Sequence, residues 1–210
     1  MKTLQYIKSL NNTEIGKGRT NESYVLVSKS VKGIENLFDS PNRRPILINL
    51  KNGGVLNSVH ITVGNEFRIN GLGDFYRDNN VNAGDEISFE RREENNETKF
   101  FINLLTKTDI VIFQKNSKGF EVLNSDRLQV LSYNNVYYNN NLGALSIDFK
   151  ESSKKRADSP VDTDFYTLKF NQTDLLNDIN SNEYFELTTA NNRNVLKKVL
   201  IWQFYEFKTL

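Results

Sequence analysis

Apolar and polar residues alternate in short runs along most of this chain, and clusters of Asn, Gly and Asp separate the runs. Ile46-Leu47-Ile48-Asn49-Leu50, Val59-His60-Ile61-Thr62 and Glu66-Phe67-Arg68-Ile69 have the length and composition of strands, with Asn52-Gly53-Gly54 and Val63-Gly64-Asn65 as turns between them. The two-residue period returns in Glu86-Ile87-Ser88-Phe89-Glu90 and, further on, in Phe120-Glu121-Val122-Leu123, Leu128-Gln129-Val130-Leu131, Leu145-Ser146-Ile147-Asp148-Phe149 and Phe165-Tyr166-Thr167-Leu168-Lys169-Phe170.

A helical period interrupts these strands in three places. Gly71, Gly73 and Asp74 open a helix in which Leu72, Phe75 and Tyr76 share a face, and Asn79, Asn80, Asn82 and Gly84 supply the turn that follows. Asn171 or Thr173 can cap a short helix over 174–179. Asn194 can cap a last helix over 195–207, where Val195, Val199, Trp202 and Tyr205 recur at steps of three or four and Leu196, Leu200, Ile201, Phe204 and Phe207 widen the stripe. Such breadth predicts burial on more than one side. The pattern as a whole predicts a mainly β fold with short helices, in which the C-terminal part is smaller and mixed α/β.

With 210 residues and 38% hydrophobic content, the chain can bury one good core or two small ones. Two units are expected, 1–115 and 116–210. No apolar run approaches the roughly 18 residues needed to cross a bilayer, and the N-terminus lacks a charged-then-apolar export signal, so a cytoplasmic protein with no membrane partner is expected. The absence of cysteine excludes disulfides and thiolate metal sites. Net charge is only +1, from 27 basic and 26 acidic residues; counted by halves it is 16 against 14 over 1–115 and 11 against 12 over 116–210. A polyanionic partner would therefore have to be held by local patches.

One loop has the composition to read bases. Gly16-Lys17-Gly18-Arg19-Thr20-Asn21-Glu22-Ser23 offers Arg19 for a guanine edge, Asn21 for adenine, Glu22 for a cytosine amino group and Lys17 for phosphate, on glycines that permit close approach. The same residues suit a solvated hairpin. Ile69 to Arg92, with its glycine-led helix carrying Phe75, its Asn residues, the Gly84-Asp85 turn and the Phe89 strand, resembles the signature of the B3 family of DNA-binding pseudobarrels. Tyr6 to Gly16, Arg19 and Tyr24 to Lys29 resemble that family's first two strands. The likeness covers roughly the first 112 residues and is closer to the bacterial restriction-enzyme branch, with its N-terminal effector-binding domains, than to plant transcription factors.

The resemblance implies a B3-like pseudobarrel over 1–115 and two DNA arms. The loop with Lys17, Arg19, Thr20, Asn21, Glu22 and Ser23 would be the first arm. The hairpin after the His60 strand would be the second, with Thr62, Asn65, Glu66 and Arg68 as contacts and Arg77 close by. It further implies sequence-specific binding of double-stranded DNA in the major groove, without a cofactor, as the recognition part of a restriction-modification system.

Catalysis is a second possibility of a different class. His60 is the only histidine, which excludes a His-based zinc site and nuclease sites that need two histidines in one chain. Asp148-Phe149-Lys150 has the carboxylate–lysine spacing of a magnesium-dependent nuclease, with Asp126 lying 22 residues upstream as a candidate first carboxylate. Short acidic and basic patterns recur by chance in a chain with 25% charged residues, so no catalytic residue is assigned on this spacing alone. The C-terminal part could equally serve as a dimer contact or a docking surface for a nuclease subunit. Lys154-Lys155-Arg156 reads as a linker or a phosphate-binding tether. A third reading makes the barrel a protein-interaction scaffold with inert arms.

Overall fold

The computed structural model describes residues 1–16, 23–28, 30–38, 44–107, 110–124, 136–139, 143–154, 157, 162–177, 184–190 and 193–208. Among the described residues strands predominate and helical residues are few, so the fold is mainly β. In order, the strands are β1 (Lys2–Ser9), β2 (Tyr24–Val27), β3 (Leu47–Asn49), β4 (Val55–Leu56), β5 (His60–Val63), β6 (Phe67–Asn70), β7 (Glu86–Glu94) and β8 (Glu97–Leu105), with a 3-10 turn at Ile34–Asn36 and helix α1 (Gly73–Asp78) among them. There follow β9 (Ile110–Asn116), β10 (Gly119–Val122), β11 (Val136–Asn139), β12 (Gly143–Ser153), β13 (Thr163–Phe170), β14 (Thr173–Asp174), β15 (Tyr184–Ala190), β16 (Arg193–Val199) and β17 (Trp202–Lys208).

These elements form two units, one of residues 1–106 together with 202–210, the other of residues 107–201. The boundary thus falls earlier than the expected 115/116, and the last strand returns to the first unit. The expected helix over 195–207 is not formed: β16 and β17 occupy it. A nearly continuous apolar and aromatic run satisfies both periods, and here β-branched and aromatic residues meet open strand edges. β17 pairs antiparallel with β1 over seven residues, from Lys2↔Lys208 to Lys8↔Trp202. The short helix expected over 174–179 is likewise absent from its described residues, where Asp174 belongs to β14 and 175–177 form a turn. The described part of the second unit is therefore strands and turns rather than mixed α/β.

The first unit joins a six-stranded sheet, β17-β1-β7-β8-β3-β4, to a three-stranded sheet, β2-β6-β5; every pairing is antiparallel except β3 with β8. Between them lies one core, in which Tyr6, Leu47, Ile87, Phe89 and Ile102 of the large sheet meet Val25, Ile61 and Ile69 of the small one. Phe38 adds an edge-on contact to Phe89 at 6.1 Å between ring centroids. Helix α1 closes this core with Leu72, Phe75 and Tyr76, the three residues assigned to its inner face by spacing. Burying side chains of this size stabilises by about 1.5–3 kcal/mol each. Only glycine can precede the helix at position 71, where φ is +79° and a Cβ would stand 2.2 Å from the Ser58 carbonyl oxygen. After the helix, the Asp85 carboxylate accepts the Asn82 amide at 2.8 Å and the Asp85 carbonyl accepts the Leu10 amide at 2.9 Å, turning the chain into β7.

The second unit is a sheet in the order β11-β12-β13-β10-β9-β15-β16, with β14 paired to β13. Phe113, Phe120, Ile147, Leu168, Phe185 and Leu187 form its core. Buried Asn124 extends the ladder at its margin, accepting the Ile112 amide at 2.9 Å and donating to the Ile110 carbonyl at 2.7 Å. The strand expected over 128–131 lies outside the described residues.

Candidate functional site

The three-stranded sheet has two faces of opposite character. Val25↔Ile69↔Ile61 form an inward row and are buried. The rows on either side, Tyr24↔Asn70↔His60 and Leu26↔Arg68↔Thr62, point the other way by strand alternation. This outer face is a small polar platform. Asn70 organises it, donating through Nδ2 to Thr62 Oγ1 at 3.1 Å, and the Arg68 guanidinium lies over the Tyr24 ring at 4.6 Å from its centroid.

The roots of one predicted arm and the hairpin of the other lie at opposite ends of this platform. Residues 17–22, which include Lys17, Arg19, Thr20, Asn21 and Glu22, lie outside the described residues. Their two roots meet in an antiparallel bridge, Ile15↔Ser23, at the Tyr24–Asn70–His60 end. The other candidate loop is the β5–β6 hairpin, whose tip at Gly64, Asn65 and Glu66 closes the opposite end, with Gly64 donating to the Glu66 carbonyl at 3.1 Å. Four-residue strands at about 3.3 Å per residue separate the two ends by about 10 Å.

A buried ion pair holds the first root. The Glu14 carboxylate is almost fully enclosed and lies 3.2 Å from the Lys8 ammonium. It also accepts the Leu26 amide at 2.8 Å and the Asn11 amide at 3.1 Å, while the Glu14 carbonyl accepts the Tyr24 amide at 3.0 Å. One side chain thus ties β1, β2 and the intervening turn. Burial pushes the Glu14 carboxyl above its ordinary range, against the opposing pull of Lys8 and the two amides. The Tyr76 phenol, buried and near Glu14, is held well above its ordinary range and donates to the Tyr24 carbonyl at 3.2 Å.

The remaining expected contacts are distributed unevenly. Thr62 and Arg68 stand on the platform, and Asn65 and Glu66 on its tip. Arg68 is charge-balanced there, donating through Nε to the Glu66 carboxylate at 2.7 Å. Arg77 sits near the end of α1 and pairs with Asp74 at 2.7 Å and with Asp78 at 3.7 Å, so three exposed residues leave one net negative charge. Asp85, of the Gly84-Asp85 turn, is buried and turns the chain into β7. Four platform residues were not among the expected contacts: Tyr24, Leu26, His60 and Asn70. The two-residue alternation of Val25, Ile61 and Ile69 was the signal that could have found them.

Asp148 lies on β12, paired with Lys169 at 3.4 Å, and the Lys150 ammonium donates to the Lys118 carbonyl at 2.6 Å. Asp126 is outside the described residues. Among the described residues no three His, Cys, Asp or Glu side chains cluster as metal ligands, and no helix is long and apolar enough to cross a membrane. No family model and no curated protein matches the chain.

Proposed function

We propose that the first unit binds double-stranded DNA with sequence preference, laying the outer face of β2, β6 and β5 against the major groove with a loop at either end. The observation that carries this reading is the polar platform itself, set between the roots of loop 17–22 and the tip at 64–66. Its length of about 10 Å is comparable with a major groove about 12 Å wide. Its side chains suit base edges: Asn70 can give the adenine pairing and Arg68 the guanine pairing, while Thr62 and His60 add single hydrogen bonds. The element order supports the same reading. Strand, loop, strand, then the His60 hairpin, then a glycine-led helix running into the Phe89 strand is the order that resemblance to the B3 family implies.

Glu66 balances Arg68 and two aspartates offset Arg77, so these two arginines bring no net positive charge to attract phosphate. The resemblance to restriction enzymes extends the proposal to a recognition role in a bacterial restriction system. Retention of random duplexes by the full chain, followed by sequencing, tests the reading. An enriched motif is expected; retained duplexes with no common motif would defeat it.

A further inference from the structure

We infer that the second unit carries a contact for the phosphate backbone of duplex DNA, formed by Lys118, Lys150 and Lys154. The inference rests on the first unit's being a DNA-reading module, to which this unit is covalently tethered. Lys118 stands in the turn between β9 and β10. Its ammonium donates to Ser153 Oγ at 3.0 Å and to the Lys154 carbonyl at 2.6 Å, and lies 5.8 Å from the centroid of the Phe165 ring. Lys150 reaches across the same turn to donate to the Lys118 carbonyl at 2.6 Å. Gly119 beside it lets β10 lie close to β13: a Cβ there would stand 2.9 Å from the Tyr166 carbonyl oxygen. Lys154 is exposed directly after β12.

The partners of Lys118 and Lys150 are neutral oxygens and one aromatic ring. Elsewhere in the unit, lysines are matched with carboxylates, Lys107 and Lys197 with Glu186 at 2.7 and 3.2 Å and Lys169 with Asp148 at 3.4 Å. Among the described residues, two ammoniums are thus held without a carboxylate partner at one end of a sheet, where Lys154 follows β12, and Glu151 and Asp164 lie on the same two strands. An ammonium has three donors, and Lys118 uses two on the protein, which leaves one for an external anion. A polyanion gains from such a surface by counterion release. Tethering to the first unit then makes the second contact effectively intramolecular.

The test compares the full chain with a variant carrying Lys118→Gln, Lys150→Gln and Lys154→Gln, titrated with random and with selected duplexes over a salt series. Loss of three phosphate contacts should make the slope of log K against log salt shallower by about 2.7, at roughly 0.9 per contact. All duplexes should weaken by the same factor, with base preference unchanged. The triple Lys→Arg variant should keep the slope, which separates lost charge from lost folding. An unchanged slope in the Gln variant with base preference intact would overturn this inference and leave the platform reading standing. A reduced slope in a protein without base preference would do the reverse. Failure of the native chain to bind any duplex would sink both. Lysine-dependent binding to vesicles of anionic lipid, with duplex binding unaffected, would assign the surface to a membrane and overturn the DNA contact.

Discussion

The Arg68 guanidinium lies 4.6 Å from the centroid of the Tyr24 ring, although the two residues are far apart in the chain and meet only because β2 pairs with β6. The same guanidinium donates to Glu66 at 2.7 Å. Tyr24, outward by register, is nonetheless buried. Arg68 is thus oriented by an aromatic face below and a carboxylate beside it, and the carboxylate also cancels its charge.

That dual role of Glu66 leads to opposite expectations for two substitutions. If the platform reads DNA as proposed, Arg68→Ala should relax preference at one base pair, at a loss of about 1–3 kcal/mol. Glu66→Gln removes the negative charge beside Arg68 while retaining an amide oxygen for it, and on the same reading should tighten binding to every duplex and steepen its salt dependence. Fluorescence anisotropy with labelled duplexes measures both. If Glu66→Gln weakens binding selectively at one position, Glu66 itself is the reader there.

Loop 17–22 offers a parallel contrast. Arg19→Ala should relax preference at one base pair, whereas Lys17→Ala should weaken all duplexes alike and reduce the salt slope by about 1. Duplex selection repeated with each variant checks the assignment, and equal loss of preference in both would contradict it.

The platform was only half legible in the sequence. Alternation marked β5 and β6, and Gly71 with the Leu72, Phe75 and Tyr76 spacing marked α1, because those signals are confined to a few consecutive residues. Which residues share the outer face depends on the pairing of β2 with β6, across more than forty residues, and no local window contains that register. The same limit explains the last strand. Trp202 to Phe207 offers apolar residues to either period, and what decides between them is the edge of β1 at the other end of the chain. Polar partners such as Glu66 for Arg68 and Asp74 for Arg77 are close in sequence, but which side chain turns towards which is set by the strand and helix that carry them.

Glu14 gives the root of the first loop a pH dependence. Its carboxyl is raised above an ordinary value of 4.5, chiefly by burial. A group with a higher pKa folded than unfolded contributes stability in full below the unfolded value, and that contribution is lost as pH rises through the folded value. The stability difference between the native chain and Glu14→Gln should therefore shrink as pH rises from about 4.5 through the raised value. At neutral pH the variant should still be the less stable, by roughly 3–5 kcal/mol, since Lys8 loses its counter-ion and one buried amide loses its acceptor. Urea midpoints over a pH series measure this. A difference that widens with rising pH would show that Lys8 and the amides outweigh burial.

The last strand yields a prediction about stability rather than binding. β17 covers the outer edge of β1 over seven paired residues and brings the partly buried Trp202 and Phe204 against the first unit's core. Phe204 also lies beside the turn at Gly33, where a Cβ would stand 3.5 Å from its ring. Two half-buried aromatic side chains are worth about 2–4 kcal/mol together. A chain ending at Ile201 should lose that much from the first unit and leave the β1 amides that now face β17 open to solvent. Hydrogen exchange read by peptide should then rise in 2–9 and in neighbouring 86–94, while 110–122 keep their protection. A rise confined to 107–201 would place the last strand with the second unit and refute the β1 pairing on which this assignment rests.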